Sequence, residues 1–397
     1  MPATSRNGKV NLQLQPKRKS SEIRPFNERL ILDLVRRNSE LSKAEIARAS
    51  KLSAQSATVI VNRLVEEGML KAGKSVRGKV GQPSTPYRLD PLGAVSVGIK
   101  VGRRSAEVTT MALDYSIIEH RSLRYDYPVY HTLRDDLINL TKRLISELPS
   151  EQSKSLQGVG LAIPDALWSW ETTTGAPQGA MAEWEHATLR EDLEIALNTP
   201  VAEMNDANAA CLASLRLGGG RNFSSFVYFY VGTFIGGGLA LGDQVFEGLA
   251  GNAGAIGSLP THLSGERKTS QLLDYASIHI LEDAMTAAGL DVDSLYSGHL
   301  IPAAKDLFAE WQTKAADAIA FAAMGGQVFV DPEGIVLDTS LSPPLRQSLV
   351  AATNAALNAY DQRGIRKVEV IPCEVGIHAR SLGSALLPYQ MLLPVEG

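Results

Sequence analysis

The chain has 397 residues, of which 44% are hydrophobic and 21% charged, with a formal net charge of −4. This composition suits a globular protein of two or three domains, and no apolar run reaches the roughly 18 residues of a membrane span. There is no apolar N-terminal segment of the signal-peptide kind, and the two cysteines, Cys211 and Cys373, lack metal-type spacing. These features predict a cytoplasmic protein without disulfides or a zinc knuckle.

The small net charge hides an asymmetry between the two parts of the chain. Residues 1–89 contain 18 Lys and Arg against 7 Asp and Glu, so residues 90–397 hold the remaining 21 basic and 36 acidic residues. Such a distribution predicts a basic module that meets a polyanion and an acidic module with a different role. The alternative is a solvated basic tail on a globular protein.

The N-terminal part begins with a polar, basic segment, residues 1–24, which we expect to be a disordered arm. Helical periodicity follows from residue 26. Ser42 and Glu45 have the spacing of a capping box, which predicts a short second helix. Ser53 can cap a third helix that runs to about Glu67 and stops at Gly68.

Two short strands, 69–71 and 87–89, enclose a basic, glycine-rich segment after the third helix. Three helices followed by such a hairpin predict a winged helix-turn-helix domain over residues 25–90, with the third helix in the DNA major groove. Gln and Asn can read adenine, Arg can read guanine or hold phosphate, and a basic wing follows the backbone. The candidate DNA-contacting residues are Ser53, Gln55, Ser56, Thr58, Val59, Asn62 and Arg63 on the helix, and Arg77, Lys79 and Gln82 in the wing. The alternative is that these are ordinary surface residues.

From residue 91 the pattern becomes one of alternating strands and helices, which indicates an α/β architecture of two lobes around a cleft. The predicted strands are 94–101 with its hairpin partner 106–112, 158–164, 201–203, 226–231, 334–337 and 368–371. Helices are predicted over 133–148, over 189–197 and from residue 206. A glycine loop is predicted at 232–238.

An ordered set of motifs in this part resembles one family. The segment TPVAEMNDANAA at 199–210, the strand Gly158–Pro164, Trp184 and Gly232–Gly238 are similar to those of the ROK family of repressors, open reading frames and kinases. The segments LSKAEIARASKLSAQSATVIVNRLVEEGML and GQPSTPYRLDPLG resemble the winged-helix half of its transcriptional regulators. The resemblance, from about Phe26 to Leu386, implies an actin/hexokinase-like domain over residues 91–397.

The resemblance also assigns roles in the cleft. In ROK kinases an Asn-Asp pair binds sugar hydroxyls and its Asp is the general base; here the pair is Asn205 and Asp206. An amide and a carboxylate suit a polyol, although either residue could equally serve as a helix cap. The kinase phosphate loop is altered, because Lys100 replaces the family's Asp and Arg103 and Arg104 fill its glycine-rich turn. The family's later adenosine-side Gly-Gly-Gly loop is replaced by Leu-Asp-Thr-Ser at residues 337–340. We therefore expect no kinase activity.

The sugar end of the cleft departs from the family as well. Ala255 and Ser258 stand where ROK proteins typically have a Glu and a His, and residues 259–276 contain one His and no Cys. The family's zinc site cannot be assembled from that segment, so neither metal nor cofactor is expected. The candidate effector-binding residues are Asn205, Asp206, Ala255 and Ser258. Removing a carboxylate makes room for a sugar acid, a sugar phosphate or another substituted sugar.

Together these expectations describe a DNA-binding transcriptional regulator, most simply a repressor of carbohydrate uptake or catabolism genes that a small sugar-like effector relieves. A homodimer or homotetramer is expected because one winged helix reads only a half-site. One alternative is a regulator whose ROK half serves only for oligomerisation. Another is a sugar kinase with a DNA-binding appendage.

Overall fold

The structure is a computed structural model that describes residues 25–75, 84–149, 155–261 and 270–391. The basic arm, 1–24, and the wing residues Arg77, Lys79 and Gln82 lie outside the described residues. The described chain forms an N-terminal helical domain followed by two lobes, each built on a five-stranded sheet.

The N-terminal domain has the predicted three helices and a three-stranded sheet of order β1-β3-β2. Ser42 and Glu45 form the predicted capping box, and Ser53 caps the third helix through a bond from the Ser56 amide. Its elements are α1 (Phe26–Asn38), β1 (Leu41–Ser42), α2 (Lys43–Ser50), α3 (Ala54–Glu66), β2 (Leu70–Ala72) and β3 (Pro86–Leu89). Val61 is fully buried midway along α3, whereas its neighbour Ile60 is half-buried.

The first lobe contains a sheet of order β6-β5-β4-β7-β8, in which β4, β7 and β8 are parallel and β4, β5 and β6 antiparallel. The predicted hairpin of β4 and β5 is present. Strand β6 was not predicted, because its segment IIEHRSLR is largely polar and lies at the exposed edge. The elements are β4 (Val95–Val101), β5 (Ser105–Ala112), β6 (Ile117–Arg124), α4 (Tyr130–Glu147), β7 (Leu156–Ile163), α5 (Glu171–Thr174), α6 (Leu189–Leu197), β8 (Val201–Asn205) and α7 (Asp206–Leu217).

The second lobe contains a sheet of order β11-β10-β9-β14-β15, together with a small two-stranded ribbon. Its elements are β9 (Phe226–Val231), β10 (Ile235–Leu241), β11 (Gln244–Val245), β12 (Pro260–Thr261), β13 (Ser270–Gln271), α8 (Leu273–Ala276), α9 (Ile278–Ala287), α10 (Lys305–Val330), β14 (Gly334–Thr339), α11 (Pro343–Ala359) and β15 (Val370–Pro372). The chain then returns to the first lobe as α12 (Ala379–Leu386), which packs on α7, β4 and β7.

The predicted glycine loop at 232–238 is wrong in its second half. Only residues 232–234 form a turn, and Gly236–Gly238 belong to β10, paired with β9. A Cβ on Gly238 would lie 2.6 Å from the Cβ of Cys211, so this glycine lets the strand approach α7 closely. Gly236 and Gly238 therefore serve packing between β10 and α7, whereas Gly237 makes room for Ile256 on the other face of the strand.

Candidate functional site

Helix α3 presents a polar face on the surface of the N-terminal domain. Gln55, Ser56, Val59 and Asn62 are exposed, and 61% of Val59 is accessible although it is apolar. The opposite face, with Ala57, Val61 and Leu64, is buried against α1 and α2. The separation of the two faces matches that expected of a helix that inserts into a groove.

Some of the predicted DNA-contacting side chains already have partners within the domain. Arg63 forms ion pairs with Glu28 at 2.7 Å and with Glu67 at 3.1 Å. The Thr58 hydroxyl donates to the carbonyl of Ala54. Gln55 and Val59 keep their side chains outward, so they are better placed than Arg63 for a base edge.

Lys43, which the sequence did not single out, approaches the same surface from the start of α2. Its ammonium group donates to the Asn62 Oδ1 atom at 2.6 Å and lies 5.3 Å from the centre of the Tyr87 ring. A lysine between the recognition helix and the sheet can bind phosphate or fix the orientation of the Asn62 amide. No sequence motif marks it, since its position depends on how α2 packs on α3.

Asn205 and Asp206 lie at the end of β8 and the start of α7, as the sequence predicted. The Asn205 Oδ1 atom accepts hydrogen bonds from the amides of Ala207 at 2.9 Å and Asn208 at 3.3 Å. The helix-cap role is therefore real, and it leaves the amide nitrogen of Asn205 for a ligand. The Asp206 Oδ2 atom pairs with Arg380 at 3.3 Å.

Arg380 is a site residue that the sequence reasoning missed. It lies on α12, 174 residues after Asp206, and its guanidinium group is 5.0 Å from the centre of the Tyr230 ring. Its Nε atom is buried and has no hydrogen-bond partner in the described chain. Only the return of the C-terminal helix to the first lobe brings this cation to Asp206, and no local pattern encodes that return.

Lys100 and Arg103 add two cations near the turn between β4 and β5. Lys100 is almost fully buried and pairs with Glu107 at 3.3 Å, and burial lowers its pKa to about 8. The guanidinium carbon of Arg103 lies 3.8 Å from the centre of the Trp170 ring and 4.4 Å from that of Phe234. Burial likewise lowers the pKa of Arg103, to about 10.

Arg103 differs from the other cations of the cleft in its pairing. Lys100 has Glu107 and Arg380 has Asp206, whereas no carboxylate within 4 Å of Arg103 is recorded among the described residues. Its Nε atom is buried without a hydrogen bond, and Asp206 favours its charge only from a distance. Arg104, beside it, is exposed. Since Phe234 lies in the β9–β10 turn, Arg103 connects the first lobe to the second.

Asp338, which stands in the segment that replaces the family's adenosine-side loop, is fully buried and has structural partners. It accepts a hydrogen bond from the Gly376 amide at 3.1 Å and pairs with Arg346 at 3.5 Å. The Tyr228 hydroxyl donates to it at 3.2 Å. Burial raises the pKa of this carboxyl group despite these bonds. Its contacts fix β14 to the segment that precedes α12.

A cavity of about 670 Å³ opens beside Asn205, at the carboxyl ends of β7 and β8. Its lining includes Asp165, Arg190, Glu203 and Glu247, and burial raises the pKa of both glutamates. This size and polarity suit a sugar-sized ligand. Ala255 and Ser258 do not line this cavity, and both are exposed on the segment that follows β11.

The remaining sequence expectations concern metals and membranes. Residues 262–269 lie outside the described chain, so the predicted absence of zinc from 259–276 stays a prediction. Among the described helices, none combines the length and apolar character that crossing a bilayer requires.

Comparison with known proteins accounts for most of the chain. A ROK family model matches residues 96–390, and a winged helix-turn-helix DNA-binding model matches residues 27–71. A Sinorhizobium fredii protein without an assigned function is 24% identical over 92% of this chain and 91% of its own length. The xylose repressor of Bacillus subtilis is 23% identical over 62% of this chain, which spans only 63% of that repressor.

Solved structures show the same fold. A ROK family transcriptional regulator, a homologue of the E. coli MLC protein, has a TM-score of 0.66 at 17% identity, over 92% of this chain and 96% of its own. A ROK hexokinase from Thermus thermophilus has a TM-score of 0.56 at 24% identity, over 74% of this chain and 98% of its own. The two-lobed domain is thus shared by regulators and kinases. The chain belongs to the ROK family and carries a winged helix-turn-helix domain before its ROK domain.

Proposed function

We propose that the protein is a DNA-binding transcriptional regulator, a repressor of carbohydrate uptake or catabolism genes whose DNA affinity a sugar-like ligand lowers. The observation that carries this proposal is the exposed face of α3, with Gln55, Val59 and Asn62 free of the domain core. Relatives named xylose repressor support the class of regulated gene. A regulator of this kind would act in the cytoplasm, where the chromosome lies.

The residues of the cleft favour a regulator over a kinase. Phosphoryl transfer needs a carboxylate for magnesium and a small, open phosphate loop. Lys100 places a positive charge where the carboxylate for magnesium would stand. Arg103 fills the phosphate loop with a side chain that contacts Trp170 and Phe234. Asp206, the counterpart of the general base, is paired with Arg380. We infer that the cleft binds a ligand without phosphorylating it.

The ligand we propose is a sugar acid or sugar phosphate, with a neutral sugar as the simpler member of the class. Its hydroxyls would meet Asn205 and the carboxylates of the 670 Å³ cavity. Its anionic group would turn toward Arg103, since a desolvated guanidinium without a carboxylate partner is costly until an anion pairs with it. Ala255 and Ser258 would contact it only if the segment after β11 moves inward.

Helix α7 offers a physical link from this cleft to the DNA-binding domain. It begins at Asp206 and carries Arg216 in its last turn. Burial lowers the pKa of Arg216, and Tyr115 and Asp33 partly offset this. Arg36 of α1 lies 4.8 Å from the centre of the Tyr115 ring. We infer that a ligand that displaces Asp206 from Arg380 would shift this helix, whose last turn carries a guanidinium group that interacts electrostatically with Asp33 of α1.

A homodimer or homotetramer completes the proposal, because two winged helices at a fixed spacing read a palindromic operator. Lobe closure on a ligand would change that spacing and hence the operator affinity. The competing proposal is that the ROK half only oligomerises the chain. The two differ in whether any ligand changes DNA binding.

The test begins with an operator selected by the full-length protein from a random duplex pool. Operator affinity is then measured by fluorescence anisotropy with neutral sugars, sugar acids and sugar phosphates. We expect at least one anionic member to weaken binding, and Asp206→Ala to abolish that response while Asp361→Ala, an exposed carboxylate paired with Arg363, retains it. Failure to select any sequence would refute the DNA-binding role. Selection without a ligand response would favour the oligomerisation proposal.

The absence of kinase activity is tested separately with a coupled ATPase assay over the same sugars. We expect no turnover above background. Turnover that disappears in Asp206→Asn would overturn the assignment as a regulator without enzyme activity.

A further inference from the structure

Three side chains with metal-binding atoms meet at the edge of the first lobe. One ligand atom from each of Glu107, His120 and His378 lies within 4.8 Å of the others. The His120 Nε2 atom is 3.9 Å from the Glu107 Oε2 atom, and the two imidazole rings have centroids 5.1 Å apart. They come from β5, β6 and the residue that precedes α12.

The sheet register explains how this cluster arises. Glu107 pairs with Ser122 across β5 and β6, and Thr109 pairs with His120, so Glu107 and His120 are diagonal neighbours on one face. Helix α12 packs over that face, and Gly98 on β4 allows its backbone to come close. His378 is the N-cap residue of α12, which places it above the same two strands.

The hydrogen bonding of the cluster leaves ligand atoms available. The Glu107 Oε1 atom bonds Lys100, but its Oε2 atom is buried without a hydrogen bond in the described chain. The His120 Nδ1 atom is 2.9 Å from the Thr109 hydroxyl, which orients the ring and leaves Nε2 facing Glu107. Despite burial, Lys100, Arg380 and Ser381 already lower the pKa of Glu107. Its Oε2 atom nevertheless has no direct hydrogen-bond partner among the described residues, and a cation bound there would supply a partner.

We propose that Glu107, His120 and His378 bind one divalent transition-metal ion, with Zn²⁺ as the probe of choice. Two imidazoles and one carboxylate form a ligand set suited to zinc, with a fourth position open to water. This site is distinct from the segment 259–276, where the family's zinc motif would lie. Because Lys100 remains 3.3 Å from Glu107, we expect weaker, exchangeable binding than at a four-ligand structural site.

The proposed metal site lies between two strands of the first lobe and the start of α12. An ion here would join β5 and β6 to the start of α12, two residues before Arg380. It would thereby hold the helix that supplies the partner of Asp206. We therefore expect metal binding to stabilise the first lobe and to restrict the movement of Arg380 in the cleft.

The experiment uses the full-length, untagged protein freed of metal with a chelator. Zinc is added with a competing fluorescent indicator, and bound zinc is counted by elemental analysis after gel filtration. We expect one ion per chain in the wild type, and a loss of affinity of about ten-fold or more in His120→Ala, His378→Ala and Glu107→Gln. His131→Ala is the matched control, an exposed histidine 3.4 Å from Glu183 that should leave affinity unchanged.

A second measurement separates a metal site from a structural role of the same side chains. His378 is exposed, so His378→Gln should unfold at the same temperature as the metal-free wild type while losing the zinc-induced rise in that temperature. No bound zinc in the wild type would overturn the proposal. So would wild-type affinity in all three ligand variants, or an equal loss in His131→Ala.

Discussion

The close packing of α12 on α7 makes one glycine a sharp test of how the cleft is built. A Cβ added to Gly383 would lie 1.8 Å from the carbonyl oxygen of Ala209, although real Cβ atoms essentially never come within 3.0 Å of such an atom. Both contacting groups are helix backbone, so Gly383→Ala must push α12 away from α7 by more than about 1 Å. Gly325, five residues before the end of α10, has nothing within 4 Å of such a Cβ apart from the backbone of its own helix.

The same substitution to alanine should therefore destabilise the protein at Gly383 and stabilise it at Gly325. Overpacking costs about 1–3 kcal/mol, and we expect Gly383→Ala near the upper end because no flexible side chain can yield. At roughly 2–4 °C per kcal/mol, the unfolding temperature should fall by about 6 °C or more. Gly325→Ala should instead gain about 0.5–1 kcal/mol from helix propensity.

The assay is thermal unfolding followed by circular dichroism, with operator binding measured on the same samples. Because α12 carries Arg380, Gly383→Ala should also blunt the ligand response at temperatures where it remains folded. Gly383→Ala as stable as the wild type would show that α12 does not lie on α7 as described. A destabilised Gly325→Ala would show that α10 is packed where the structure leaves it open.

Four further substitutions or reactions test other parts of the molecule. Arg103→Met should change thermal stability little, because the lost cation–π contacts are offset by removal of a desolvated charge. The affinity for an anionic ligand, measured by calorimetry, should fall by about ten-fold or more. An unchanged affinity would show that the anionic group binds elsewhere. Gln55→Ala should cost about 1–3 kcal/mol of operator-binding free energy and relax the sequence preference at one operator position. Gln312→Ala, on α10, should change neither. Equal effects of the two substitutions would argue against α3 as the helix that reads the bases. Tyr115→Leu should leave operator and ligand affinities near wild type while reducing the effect of ligand on operator binding, and full retention of that effect would exclude the route through Arg216. The two thiols should not react with Ellman's reagent until the protein is unfolded, since burial raises the pKa of Cys211 and, to about 11, that of Cys373; labelling of the native protein would contradict their burial.

Local signals explain why the N-terminal domain was predictable. The signals are the capping box of Ser42 and Glu45, the cap at Ser53 and the left-handed Gly68, and each acts only on residues within one helical turn of it. Strand β6 carries no comparable signal, because an edge strand with one polar, exposed face does not alternate clearly. The glycines at 236–238 were misassigned because a glycine run indicates a loop, whereas here Gly236 and Gly238 let α7 pack closely on the strand and Gly237 makes room for Ile256.

The cleft was predictable only where its residues are contiguous. Asn205 and Asp206 form a short motif at a strand-to-helix junction, and the structure places both there. Arg380 and His378 reach the first lobe through a chain reversal that no local pattern encodes. The sequence flagged Arg103 as an obstacle to phosphate, but its position between Trp170 and Phe234 depends on three separate segments.

The burial and packing of α7 explain why we expect a displacement in the cleft to be transmitted toward the DNA-binding domain. Every residue from Asn208 to Leu215 is buried, so the helix has no solvent-facing stretch in which to bend. Glycines let β10 and α12 pack directly against it, which leaves little free volume to absorb a shift. Its first turn carries the negative Asp206 and its last turn the positive Arg216, and both charges interact favourably with the helix dipole. At 12 residues it spans about 18 Å, and a rigid element of that length can act only by moving as a whole. We therefore expect that loss of the Asp206–Arg380 pair at one end would shift Arg216 at the other end, where its charge interacts with Tyr115 and with Asp33 of α1.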